Sequence, residues 1–254
     1  MTHHAMFRFY ADLNDFLPTA DRQIVRGYEF NGRPSVKDAV EAMGIPHPEI
    51  ELITVDGMPV DFAFGLQDGQ RIAVYPRFSR LELAGLPRLM PPMQHDPSFA
   101  LDVHLGRLAS YLRLLGFDSA YSNQASDLDL ARLSAEENRT LLTRDQGLLK
   151  RGMINRGYWV RALKPRHQLA EVVARLQLAR HLRPFSRCMA CNGMLEPVAK
   201  SEIAAQLPGH VRQENERFAR CCSCGHIYWQ GSHYARLASI IRQASEAGNP
   251  RGHA

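Results

Sequence analysis

Two Cys-x-x-Cys pairs, Cys188/Cys191 and Cys221/Cys224, carry the most specific chemistry in this 254-residue chain. Four thiolates in two such pairs can close a tetrahedral shell around one Zn²⁺. A shell closed by four protein ligands has no position left for water or substrate, so this spacing predicts a structural ion. The 29 residues between Cys191 and Cys221 are enough for a helix of their own, expected around 201–207. Cys222 is the odd thiol, because only Cys221/Cys224 keeps the x-x interval. His226 is a competing ligand, although four Cys already complete the shell.

A second constellation is acidic. Asp102 follows the apolar run Phe99-Ala100-Leu101, and Asp145 follows Leu141-Leu142-Thr143 shortly after. Asp127 and Asp129 stand at the start of an expected helix, where an Asp is either a cap or a further ligand. Carboxylates gathered at one edge repel one another unless a hard divalent cation neutralises them. Mg²⁺ and Mn²⁺ suit such a site because they prefer oxygen donors, and they can activate water against a phosphodiester. Cations lie close in sequence: Arg107 and Arg113 after Asp102, then Arg144 and Lys150 around Asp145. Guanidinium binds phosphate oxygens in pairs, so these are the candidate substrate-binding residues. Arg113, two turns beyond Arg107, reads either as a distant backbone contact or as a solvated side chain. His104 beside Asp102 is either an assistant in the site or an exposed helix-start residue.

These side chains need elements to hold them. Residues 1–80 read as an α+β unit with strands over 6–10, 23–30, 50–55 and 71–75. Ser35-Val36-Lys37-Asp38 has the form of an acidic capping box that opens a helix, and Gly44 stops it. The proline-rich stretch 81–97 reads as a linker, since Pro fixes φ and removes backbone donors. From Phe99 strands and helices alternate: a strand over 99–101, a helix with Leu105, Leu108, Ala109, Leu112 and Leu115 on one face, and a helix over 128–137. A strand over 139–143, a short helix, a strand over 158–163 and a helix ending near His181 follow. This alternation predicts an α/β domain over 98–182, with a mostly parallel sheet covered by helices. Ligands of such sheets bind beyond the carboxyl ends of the strands, where Asp102 and Asp145 fall. Residues 183–240 read as the metal ribbon and 241–254 as a flexible tail.

Two resemblances follow from these segments. Pro34-Ser35-Val36-Lys37-Asp38, with Asp68-Gly69-Gln70-Arg71-Ile72-Ala73-Val74-Tyr75-Pro76, resembles the β-grasp of ubiquitin-like sulfur carriers. Those carriers end in an activated Gly-Gly, whereas this chain continues Pro76-Arg77-Phe78-Ser79-Arg80. The expectation is therefore a docking or regulatory module facing a protein partner, not a sulfur donor. Leu101-Asp102-Val103-His104-Leu105-Gly106-Arg107-Leu108-Ala109, Leu112-Arg113-Leu114-Leu115-Gly116-Phe117-Asp118 and Leu141-Leu142-Thr143-Arg144-Asp145 resemble the Mut-seven-C RNase family. The stretch from Cys221 to His233 extends the match. That resemblance implies a PIN-like three-layer fold with a zinc ribbon, preceded by a ubiquitin-like domain. It also implies a metal-dependent ribonuclease in which Asp102 and Asp145 are central ligands and Asp127 or Asp129 is the additional acid. One departure stands out: PIN nucleases bring a fourth acid from a later strand end, where this chain has Lys164-Pro165-Arg166.

Charge and composition bound the reading. Residues 1–80 hold 8 Lys/Arg against 11 Asp/Glu, while the rest hold 23 against 15. A basic C-terminal part points to a polyanion such as RNA, single-stranded or structured. The alternative is a solvated Arg-rich surface. Tyr228, Trp229 and His233 either stack on unpaired bases or pack the ribbon. No apolar run is long enough to span a bilayer, the first residues lack a signal-peptide pattern, and metal-spaced cysteines fit a reducing cytoplasm. A non-catalytic RNA- or ribosome-binding adaptor, with a structural Zn²⁺ and no use for Mg²⁺ or Mn²⁺, is the competing function.

Overall fold

Alternating apolar and polar residues make the first strand: in His3–Phe9 the side chains of Ala5, Phe7 and Phe9 are buried while His4, Met6 and Arg8 face out. A computed structural model describes residues 1–77, 88–90, 95–232 and 234–248. In chain order its elements are β1 (His3–Phe9), β2 (Val25–Phe30), α1 (Val36–Ala42), β3 (Ile50–Val55), β4 (Met58–Val60) and β5 (Arg71–Pro76). Then come β6 (Ser98–Leu101), α2 (Gly106–Leu114), β7 (Asp118–Tyr121), α3 (Asp127–Glu136), β8 (Thr140–Thr143), α4 (Gln146–Leu149), β9 (Gly157–Trp159) and α5 (Pro165–Arg175). The ribbon holds β10 (Leu195–Val198), α6 (Lys200–Ile203), α7 (Gly209–Glu214), β11 (Phe218–Cys221) and β12 (Ile227–Trp229), and α8 (Tyr234–Ala247) follows. No helix among the described residues is long and apolar enough to cross a membrane.

The chain divides into two compact units. One joins Met1–Met93 with Ala131–Trp159, and the other joins Gln94–Leu130 with Val160–Ala254. In the first, the sheet order is β2-β1-β5-β3-β4, with β1 and β5 parallel and the other neighbours antiparallel. This is a β-grasp: α1 packs Val36, Ala39 and Val40 into a core with Phe7, Phe9, Ile53, Ile72 and Val74. The expected capping box is present, since Ser35 Oγ accepts from Asp38 N–H at 3.1 Å and Asp38 Oδ2 accepts from Ser35 N–H at 3.3 Å. The same unit contains the parallel pair β8 and β9, and the indole of Trp159 packs against the β-grasp core. Ala131–Trp159 thus packs in one compact unit with Met1–Met93.

In the second unit β6 and β7 run parallel, with α2 as the crossover. The sequence reading has no strand at 118–121. Asp-Ser-Ala-Tyr carries little apolar signal, and only Ser119 of the four is fully buried. The strand expected over 158–163 stops at Trp159, because the next amides turn to a side chain. Arg161 N–H and Ala162 N–H donate to the two oxygens of Glu171 at 2.9 and 2.8 Å.

β10, β11 and β12 form an antiparallel meander. Ile203, Leu207, Val211 and Phe218 are its small core. The helix expected at 201–207 is split into α6 and a following 3-10 turn, with α7 beyond. The tail expected at 241–254 is a helix as far as Ala247. Ile240 and Ala244 lie on one stripe of α8, are buried, and the helix packs on α5. Most of the expected linker 81–97 lies outside the described residues. Within it, Leu89 N–H donates to Glu51 O at 2.9 Å.

Candidate functional site

The four sulfurs of Cys188, Cys191, Cys221 and Cys224 lie within 4.8 Å of one another. Cys188 and Cys224 are 3.7 Å apart, and Cys191 and Cys221 are 3.4 Å apart. A tetrahedron with Zn–S bonds of about 2.3 Å has edges of about 3.8 Å, so the donor set fits one four-coordinate ion. Each knuckle turns an amide toward a sulfur: Cys191 N–H toward Cys188 Sγ and Cys224 N–H toward Cys221 Sγ, both at 3.5 Å. Tyr228 OH lies 3.1 Å from Cys188 Sγ and accepts from Met189 N–H at 3.1 Å. Burial raises the Cys221 thiol, but amide bonds from Cys224 and Ser223 outweigh it and push the pKa down to about 6. Against the amide bond from Gly193, burial and hydrogen bonds to the neighbouring sulfurs push Cys191 the other way, up to about 12. The lowered thiol of Cys221 is thus already favoured as the thiolate a metal requires. Cys222 is exposed and outside the cluster, as its spacing predicts. His226 is also outside it, with its ring 4.7 Å from that of Tyr228.

The knuckle is fastened to the second unit by a residue that the sequence reading assigns to substrate. Arg113 is 5% exposed. Its guanidinium donates to Ser119 O at 2.9 and 2.8 Å, to Ala190 O at 2.8 Å and to Met189 O at 3.3 Å. Burial lowers its pKa, against the pull of Cys191, Cys188 and Asp118. Arg113 is thus a structural staple between α2, β7 and the ribbon. Asn192 adds two bonds, accepting from Ser119 N–H at 2.9 Å and donating to Asp118 Oδ1 at 2.8 Å. Nothing in the spacing marks Asn192. Its place directly after the first knuckle, at φ 73°, is the one available cue.

Of the acids, Asp102 is buried, at 5% exposed, at the carboxyl end of β6. Its side chain does not cap the helical turn that follows. The turn itself is shaped by Tyr121, whose OH donates to Val103 O at 3.0 Å. Gly106 permits that approach, since a Cβ there would meet Tyr121 OH at 2.6 Å. Arg107 is exposed in the first turn of α2. Asp127 and Asp129 are exposed at the start of α3. Asp129 takes the capping alternative: its Oδ2 accepts from Ser126 Oγ at 2.6 Å and Ser126 N–H at 3.1 Å, and its own N–H donates to Ser126 Oγ at 3.2 Å.

Asp145 is exposed at the carboxyl end of β8 and is the N-cap of α4, with Oδ1 accepting from Gly147 N–H at 2.7 Å. Buried Thr143, read in the sequence only as a strand residue, accepts Asp145 N–H through Oγ1 at 2.9 Å. A Thr two residues before an Asp is a legible turn signal. Arg144 is exposed, while Lys150 donates through Nζ to Glu41 O at 3.1 Å, a structural contact. Among the described residues, the four cysteines are the only group of three or more ligand-type side chains close enough to hold an ion.

Beside the cysteines lies a cavity of about 670 Å³, lined by Phe185, Tyr228, Trp229 and Tyr234 with Arg217 and His210. Tyr228 is tied to the knuckle, which is the packing alternative. Trp229 remains 38% exposed on the cavity wall. His233 lies outside the described residues.

Comparison with known proteins places this geometry. The family model described as the Mut7-C RNAse domain matches residues 97–241, and the Mut7-C ubiquitin model matches residues 2–82. No curated protein matches the chain. Among solved structures, H. volcanii small archaeal modifier protein 1 is similar, at 18% identity over 30% of this chain and 99% of its own, with a TM-score of 0.25. The chain belongs to the Mut7-C RNAse domain family, with a nuclease-like domain that follows a ubiquitin-like one.

Proposed function

We propose that this protein is a metal-dependent ribonuclease of PIN-like fold, hydrolysing phosphodiester bonds of RNA in the cytoplasm. The observation that carries it is Asp102, a carboxylate 5% exposed at the end of a parallel strand and not used as a helix cap. Strand ends are where α/β sheets bind ligands, and Asp102 stands at one. Asp102 and Asp145 are the proposed ligands of Mg²⁺ or Mn²⁺, with Asp127 the further acid, since Asp129 has its cap to maintain. Few protein ligands suffice, because Mg²⁺ is usually held by one or two carboxylates together with waters and substrate phosphate. When bound, such an ion polarises the phosphodiester and activates water. Exposed Arg107 and Arg144 then bind phosphate oxygens, and Arg113 and Lys150 are left to structure. Zn²⁺ is the proposed ion of the four cysteines, a closed structural site.

Cleavage of single-stranded RNA in Mn²⁺ by the wild type, Asp102→Asn and Asp145→Asn tests this. A loss of at least about a hundredfold in both variants is expected, as for removal of a main electrostatic group. Equal residual cleavage in all three sinks it. A second reading, an RNA- or ribosome-binding adaptor, is favoured by the capping roles of Asp129 and Asp145. It predicts salt-dependent RNA affinity indifferent to Asp145→Asn, and no cleavage with any divalent ion.

A further inference from the structure

Within the unit formed by Met1–Met93 and Ala131–Trp159, the turn carrying Asp145 is held from both sides by the ubiquitin-like domain. On its leading side, Arg144 O accepts from the indole Nε1–H of Trp159 at 3.2 Å. Trp159 is itself fixed by that domain: its backbone N–H donates to Glu49 Oε1 at 2.6 Å, and its ring lies on Phe16 with centroids 4.9 Å apart. Glu49 is 4% exposed, so this bond is made out of water, where loss of one partner costs most. On the trailing side, Lys150 Nζ donates to Glu41 O, and His47 Nε2 lies 2.8 Å from Ile154 O. Pro48 lies close to the start of β9, 3.4 Å from where a Cβ on Gly157 would stand.

The strand paired with the one that carries this turn, β9, is only three residues long. β8 and β9 pair over three residues, Leu141↔Gly157 to Thr143↔Trp159, well below an ordinary strand length. What fixes β9 on its other side is the segment around Glu49, and what links β9 back to the Asp145 turn is the Trp159 indole. A carboxylate ligand has to be held to within about 0.5 Å of its working position by the groups around it.

We propose that the ubiquitin-like domain is an internal brace for the Asp145 turn, with Trp159 as the positioning residue that connects Glu49 to Arg144 and Asp145. Its consequence for metal binding rests on the ribonuclease reading, whereas the brace itself does not. This gives the domain an intramolecular role in addition to any external protein partner.

Two measurements on the full chain test the brace. Trp159→Phe keeps the ring on Phe16 and the backbone bond to Glu49 but removes the indole donor. Glu49→Ala removes the acceptor, and Glu49→Gln retains one. Amide hydrogen exchange across 144–149, which contains the Gly147 N–H capped by Asp145, is expected to quicken about fivefold in Trp159→Phe and Glu49→Ala, the effect of one net hydrogen bond. Glu49→Gln is expected to return to the wild-type rate, and exchange in β1 is expected to stay unchanged in all three. The Mn²⁺ concentration for half-maximal RNA cleavage rises by a similar factor in Trp159→Phe, with KM for RNA unaltered. Unchanged exchange across 144–149 in folded Trp159→Phe overturns the brace. Faster exchange with an unaltered Mn²⁺ requirement in an active enzyme overturns Trp159 as a positioning residue. A wild type that cuts no RNA, yet shows the expected exchange pattern, keeps the brace and removes the ribonuclease reading. Should Glu49→Ala fail to fold, Trp159→Phe alone decides.

Discussion

The two appendages of the nuclease-like domain are fastened in different ways. The ubiquitin-like domain meets Ala131–Trp159 through several separate contacts: Glu49 to Trp159 N–H, His47 to Ile154 O, Lys150 to Glu41 O, and Phe16 on the Trp159 ring. The ribbon meets α2 and β7 through the side chains of Arg113, Asn192 and Arg187, with backbone bonds from Arg183 and Phe185 N–H to Leu115 and Leu114 O. Arg113 alone reaches carbonyls in both β7 and the first knuckle. Distributed attachment degrades by steps, because each bond contributes about 1 kcal/mol and its neighbours remain. Attachment centred on one buried cation loses several bonds at a single point. Three carbonyls lose their donor together, and the four-cysteine cluster is only a few residues away. The sites the two appendages serve differ accordingly: one backs an acidic turn, and the other is organised around four close cysteines that could hold a metal.

The sharpest way to break this contrast is to remove the metal. Cys188→Ser, or chelation, should unfold the ribbon, since a structural zinc is worth on the order of 10 kcal/mol to a small module. Its own core is only Ile203, Leu207, Val211 and Phe218. Metal content by mass spectrometry should fall from one zinc per chain, and proteolysis should open 188–229 while β1–β5 stay protected. A zinc-free variant that keeps full nuclease activity and a protected ribbon would show that the cysteines are not the clamp described.

Next in size is Arg113→Met, expected to cost about 3 kcal/mol, the range for removing one partner from a buried charged network. Exchange should quicken at both β7 and 188–194, because one guanidinium bridges them. Arg113→Lys should rescue little, as an ammonium cannot reproduce the forked contacts. At the other appendage, His47→Ala should cost about 2 kcal/mol through two buried bonds, to Glu41 at 2.6 Å and Ile154 O at 2.8 Å. Its effect should stay local to 150–157, leaving Trp159 and Glu49 in place. If His47→Ala released all of Ala131–Trp159 at once, the distributed picture would be wrong.

How much of this was legible in the sequence depends on the range of the cause. The cysteine cluster was, because an ion imposes spacing on nearby residues; the Ser35–Asp38 capping box was, because both its bonds span three residues. Arg113 was not. A cation on a helix reads as solvated, and its burial comes from carbonyls 76 and 77 residues away. Glu49 and Trp159, separated by 110 residues, were invisible for the same reason. β7 was missed because its pairing with β6 is backbone chemistry that Asp-Ser-Ala-Tyr does not advertise. The α8 stripe was there to be read in Leu237, Ile240, Ile241 and Ala244, but its position after the metal module suggested a tail.

The smallest expected effect separates two cations that look equivalent in sequence. Arg107 and Lys150 each follow an acid by five residues, Asp102 and Asp145 respectively. Arg107 is exposed, whereas Lys150 is half-buried with its ammonium on Glu41 O. Phosphate contacts reveal themselves through counterion release: each one lost lowers the slope of log affinity against log salt by about 0.7 on single strands. Arg107→Ala should reduce that slope by about this amount and leave the melting temperature unchanged. Lys150→Met should do the reverse, costing about 1 kcal/mol of stability with the slope intact. A drop in slope for Lys150→Met would return that residue to the RNA surface and remove one of the contacts that hold the ubiquitin-like domain.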